Sequence, residues 1–135
     1  MYVRAEAYEG HEWSKVIAQL SDTWLAGQAA DDAAPEWIVD QQLDWVRDNN
    51  YIAMSRFILR LCHDLPDSDD GAIERIGVDP LWVLVHEWPD ATLAAIEVET
   101  EPHPTLLRAL SIVIAPTELA QQRIDAIVAR HRGFD

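Results

Sequence analysis

The chain has 135 residues, 49% of them hydrophobic, enough for one core and too few for two ordinary domains. Twenty-four Asp and Glu against ten Lys and Arg leave a net charge of −14. That balance argues against direct contact with DNA, RNA or an anionic membrane, contacts made mostly by Lys and Arg. No apolar run nears the roughly 20 residues of a membrane span, and the opening Met1-Tyr2-Val3-Arg4-Ala5-Glu6 has no apolar stretch of a secretory signal. The single cysteine, Cys62, allows no internal disulfide, and a reducing cytoplasm is the expected location.

The dominant period is helical. Trp13, Val16, Ile17, Leu20 and Trp24 fall three and four apart, forming one apolar stripe. Met54, Phe57, Ile58, Leu61, Cys62 and Leu65 repeat the pattern, as do Leu106, Leu107, Leu110, Val113 and Ile114, and then Leu119, Ile124, Ile127 and Val128. Sustained strand alternation is missing, and the one Asp-Gly pair, Asp70-Gly71, leads into a helical pattern rather than joining two strands. Pro35, Pro80, Pro104 and Pro116 each precede an apolar-periodic segment, where a first helical turn tolerates a missing N–H. Asp79 and Asp90 are candidate caps for the helices beside them. The spacing predicts helices near 11–27, 35–48, 50–65, 70–77, 80–88, 90–99, 104–114 and 117–131. Residues 81–85, apolar on every side, read as a central buried helix. The expected fold is all-α: a compact single-domain bundle or short solenoid-like stack of about 6–8 antiparallel helices over residues 1–135, with 1–10 a candidate loose N-terminus.

Charge is concentrated in the middle of the chain. Residues 1–66 hold five basic and 11 acidic side chains, 67–101 hold only Arg75 against ten acids, and 102–135 hold four basic against three acidic.

Motifs that carry chemistry are incomplete. His11-Glu12 and His86-Glu87 begin like zinc-protease helices, but Lys15 and Pro89 stand where the second His belongs. Counted from Asp67, an EF-hand would need Gly at its sixth position and Glu at its twelfth; Gly71 comes one place early and Val78 fills the last. The segment Asp67-Ser68-Asp69-Asp70-Gly71 therefore reads as a solvated acidic loop. Cys62 and His63 are neighbours on one helix and point about 100° apart, so Cys62 reads as a buried structural thiol. The carboxylate pairs Asp40/Asp44 and Glu97/Glu101 have one-turn spacing and read as solvated helix faces. His103 lies between two prolines at a helix start, and His131 sits in a last turn. No catalytic, metal or cofactor site is expected from this pattern. Of the six tryptophans, Trp13, Trp24, Trp37 and Trp45 read as core, while Trp82 and Trp88 border the most acidic segment and Trp88 is a candidate contact residue.

The segment Trp24-Leu25-Ala26-Gly27-Gln28 and the stretch from Gly77 to Glu97 resemble a family of small bacterial helical proteins of unknown function. That family carries Trp-(Ile/Leu)-Ala-x-Gln early, then Gly-Pro-Leu-Glu-Asp-Leu-Leu-x-x-His-Gly, an Ile-rich helix and an Asp-Pro helix start. Pro80, Leu81, Leu84 and Val85 match its apolar part, Ile96-Glu97 the following helix and His103-Pro104 the next start. Trp82-Val83 replace the acidic pair and Trp88-Pro89 replace His-Gly. The resemblance implies a compact helical domain.

The leading functional expectation is a non-catalytic acidic protein-binding module, a cytoplasmic immunity protein that neutralises a basic bacterial toxin. Its candidate contacts are Asp67, Asp69, Asp70, Trp88, Glu97, Glu99 and Glu101. Such an inhibitor needs a rigid scaffold and a complementary charge that speeds association. The alternatives are a helical scaffold or regulatory peptide-binding module and, behind it, an enzyme with an unrecognised carboxylate or His site.

Overall fold

A computed structural model describes residues 12–29, 36–65 and 69–132. These residues form eight helices and no strand: α1 (Glu12–Ala29), α2 (Glu36–Arg47), α3 (Tyr51–Asp64), α4 (Asp70–Val78), α5 (Pro80–Glu87), α6 (Pro89–Glu97), α7 (Pro104–Leu110) and α8 (Glu118–Arg132). The all-α class and the order of helices match the sequence reading. The chain separates into two compact units, Met1–Leu65 and Pro66–Asp135. The expected loose segment 1–10 lies outside the described residues.

In the first unit, α3 packs against both α1 and α2. The α3 stripe (Met54, Phe57, Ile58, Leu61, Cys62 and Leu65) is buried throughout, together with Ile17, Leu20 and Trp24 of α1 and Ile38 and Trp45 of α2. The Trp45 and Phe57 rings lie 6.1 Å apart in a tilted arrangement, a favoured geometry for aromatic pairs. Trp13 and Trp37 fall outside the side chains described. A tight connection joins α2 to α3: Asn49 takes φ 56°, a left-handed conformation that Asn tolerates better than most residues. Asn50 then caps α3, its side-chain oxygen accepting from the Ala53 N–H at 3.2 Å.

In the second unit, α4 packs on α5 and α7, α5 on α6, and α8 on α6 and α7. Pro80, Pro89 and Pro104 open α5, α6 and α7, where a missing N–H costs nothing. Gly77 lets α4 and α7 touch: a Cβ there would lie 2.5 Å from the Ala109 carbonyl oxygen and 3.0 Å from the Ile112 Cβ.

Several expectations are corrected. The expected helix 104–114 ends at Leu110; the N–H groups of Ile112 and Val113 reach back only three residues, to Ala109 and Leu110, and Pro116 disfavours helical backbone at Ala115. Ile114 therefore leaves the apolar stripe and is exposed. Leu119 is exposed too, because the buried stripe of α8 runs through Ala120, Ile124 and Ile127. Asp79 makes no side-chain cap on α5; its backbone instead closes α4 through its N–H and receives the Val83 N–H at the start of α5. Asp90 is no cap either. Trp88 holds that place on α6, and Asp90 lies in the first turn. The 81–85 helix buries Leu81, Leu84 and Val85 but turns Trp82 outward.

Candidate functional site

The acidic residues singled out by sequence fall at two helix junctions of the second unit. Asp69 caps α4, its Oδ1 accepting from the Ala72 N–H at 3.2 Å. Asp70, in the first turn of that helix, pairs with Arg108 of α7. Asp67 lies outside the described residues. Glu97 ends α6 and receives two hydrogen bonds from Arg123 of α8, Nη2 to Oε1 at 2.5 Å and Nε to Oε2 at 3.4 Å. The same guanidinium reaches Asp90 at 3.1 Å. Hydrogen bonding to Arg123 holds the Glu97 carboxyl below its ordinary range, against a smaller opposing effect of desolvation. Two turns further along α8, Arg130 donates to the backbone carbonyls of Glu97 and Glu99, both at 3.1 Å, a cation on the C-terminal end of a helix dipole. Asp69, Asp70 and Glu97 thus secure local structure, and the exposed carboxylates left from the candidate set are Glu99 and Glu101.

The two carboxylate pairs expected on solvated faces are corrected. Asp40 is exposed, but Asp44 is buried, and its Oδ2 has no hydrogen-bond partner among the described residues. Glu97 and Glu101 do not share a helical face, because α6 stops at Glu97. On α2 the pattern is partly inverted: Gln41, Gln42 and Asp44 are buried while Val39 and Leu43 are exposed.

No family model, curated protein or solved structure matches the chain. Geometry therefore carries the reading. Cys62 is buried, and desolvation pushes its thiol up to about 12, so it remains protonated and a poor nucleophile. Partial desolvation also raises the Asp79 carboxyl, although the residue as a whole is exposed. Among the described residues, no three His, Cys, Asp or Glu side chains are grouped to hold a metal, and no helix is long and apolar enough to cross a membrane. His103 caps α7, its Nδ1 accepting from the Thr105 N–H at 3.2 Å.

The aromatic candidates exchange roles. Trp88 is half-buried at the α5–α6 junction, its N–H donating to Leu84 and its carbonyl accepting from Thr92. Trp82 is the more exposed of the two at 40%. Its ring stacks on His86 with centroids 3.8 Å apart, and the His86 Nε2–H donates to the Ile114 carbonyl at 2.8 Å. The sequence contained one signal for this: Trp82 and His86 are four apart, hence neighbours on a helix.

Proposed function

We propose that the chain is a non-catalytic, acidic protein-binding module of the cytoplasm, and more specifically an immunity protein that neutralises a basic bacterial toxin domain. The observation that supports it is the charge distribution. Between Arg75 and Arg108 the chain has six acids and no Lys or Arg: Glu87, Asp90 and Glu97 lie on α5 and α6, Asp79, Glu99 and Glu101 on the connections, and Arg123 ties Asp90 and Glu97 to α8. A net excess of one charge sign accelerates encounter with the opposite sign and repels wrong partners, and it persists here although Arg123 pairs with Asp90 and Glu97. No reactive group on the scaffold is required for that task.

The test is capture from native lysate with the tagged chain, eluting first at low and then at high salt, with mass spectrometry of both fractions. The expected result is one basic protein held at near-stoichiometric yield and released by salt. An empty bait, or a partner held regardless of salt, overturns the reading. With the partner in hand, the double variant Glu99→Lys/Glu101→Lys slows association about tenfold at low salt. Reversal at Asp69 or Asp70 would be uninformative, since it also breaks a helix cap and the Arg108 pair. The peptide-binding alternative draws on Val39 and Leu43, exposed one turn apart on α2, and would give binding with weak salt dependence.

A further inference from the structure

We propose that the docking face for the cationic partner is the patch formed by Trp82, His86 and Ile114, and that it receives an arginine side chain on the Trp82 indole. The inference rests on the protein-binding reading above and gives it a location. Three observations carry it. The patch is contiguous: the His86 ring stacks on Trp82, and its Nε2–H is bonded to the Ile114 carbonyl. It is also exposed, with Trp82 at 40% and Ile114 at 75%. Finally, the exposed charged residues nearest to it along the chain are acidic. Asp79 lies one turn before Trp82, Glu87 follows His86, and Glu118 lies four residues after Ile114; all three are exposed, and the segments 76–107 and 109–122 contain no Lys or Arg.

The chemistry selects the occupant. A carbonyl oxygen only accepts, so the His86 proton toward Ile114 sits on Nε2, and that bond fixes the ring against which the indole lies. An aromatic anchor already immobilised loses little side-chain entropy on binding. Guanidinium stacks on the indole face that the His86 ring does not cover while its aliphatic stem packs on apolar surface such as Ile114, and the acids nearby in sequence favour a cation. A second copy of this chain would bring another −14 charge to the same face, so self-association is opposed by repulsion.

The experiment titrates the full chain with an octa-arginine peptide and with octa-lysine at low salt. Affinity is followed by calorimetry and the indole N–H resonances by NMR, Trp82 being assigned by its absence in Trp82→Phe. Octa-arginine is expected to bind several-fold more tightly than octa-lysine and to shift the Trp82 resonance. Trp82→Ala, which leaves net charge unchanged, is expected to weaken octa-arginine about three- to tenfold, and Ile114→Ser to weaken it less. Circular dichroism checks that both variants remain helical, and Trp82→Leu, which keeps apolar bulk without a π face, gives the affinity readout should Trp82→Ala not fold. Binding that leaves Trp82 unshifted, or that is equal for the two peptides and unaffected by either variant, overturns this location while the acidic-module reading stands. No binding of either peptide overturns both.

Discussion

Asp44 lies on the flank of α2 with its side chain 6% exposed, and its Oδ2 meets no donor among the described residues. An unpaired buried acceptor of this kind costs on the order of 1–3 kcal/mol. Its one ion-pair contact, to Arg47 at 3.8 Å, involves a guanidinium that is 71% exposed, and such a pair returns at most about 1 kcal/mol. The balance predicts that Asp44→Leu, which keeps the shape and removes the charge, raises the melting temperature by a few degrees in thermal circular dichroism. A fall of that size would mean that the carboxylate holds a donor in solution. Nothing in the local sequence distinguishes Asp44 from the exposed Asp40 one turn earlier. Spacing puts residues on a shared face but does not say which flank of that face a neighbouring helix will cover. The same limit separates Trp82 from Trp88. Both are apolar and border acids, and only the direction of each side chain relative to the packed core decides which one meets solvent.

The eight helices were legible because their causes are local: apolar residues three and four apart and proline at first turns; the caps were not, since Asp79 and Asp90 make none while Asn50 and Asp69 do. Ends were less legible where the apolar stripe runs on past the helix. Helix α7 stops at Leu110 in a tight turn whose Ile112 rests against Gly77, more than thirty positions earlier. This predicts opposite outcomes for two glycines of α4. Gly77→Ala forces a Cβ onto the Ala109 carbonyl, and should cost about 1–3 kcal/mol in chemical denaturation. At Gly71 a Cβ would meet its nearest atom at 4.0 Å, so Gly71→Ala should add up to about 1 kcal/mol through helix propensity. A stabilising Gly77→Ala would contradict the close approach of α4 and α7. The attachment of α8 to α6 gives a pH test. Arg123 lowers the folded-state pKa of Glu97, so the stability from that pair is present above the unfolded carboxylate range. It is lost as pH falls through the depressed folded value. Glu97→Gln is therefore expected to flatten the acid limb of melting temperature against pH. Glu97 is more than a third exposed, which limits the gain to about 1 kcal/mol or less. An unchanged acid limb would show that the pair does not form in solution.

At the scale of the molecule, 24 acids against ten Lys and Arg leave a net self-repulsion that opposes the compact state, against the attraction of the ion pairs of α4, α6 and α8. Raising NaCl from about 0.01 M to about 1 M shortens the screening length from about 30 to about 3 Å. The melting temperature is expected to rise across that range as self-repulsion is screened. A falling melting temperature would mean that the Arg108, Arg123 and Arg130 contacts dominate the electrostatics. Part of the acidity read from the sequence as a binding surface is thus internal structure: Asp69 caps a helix, while Asp70 and Glu97 neutralise arginines brought from α7 and α8.

The sequence by itself determined the helical class, the order and approximate limits of the helices, the net charge and its concentration in the middle of the chain. Each of these is a sum over residues or a pattern within one or two turns. Tertiary structure alone decided which carboxylates face solvent, which tryptophan is presented, and how closely α4 and α7 approach at Gly77. Those outcomes depend on pairs of residues far apart in sequence, such as Asp70 with Arg108, Glu97 with Arg123 and His86 with Ile114. Local periodicity contains no record of such pairs.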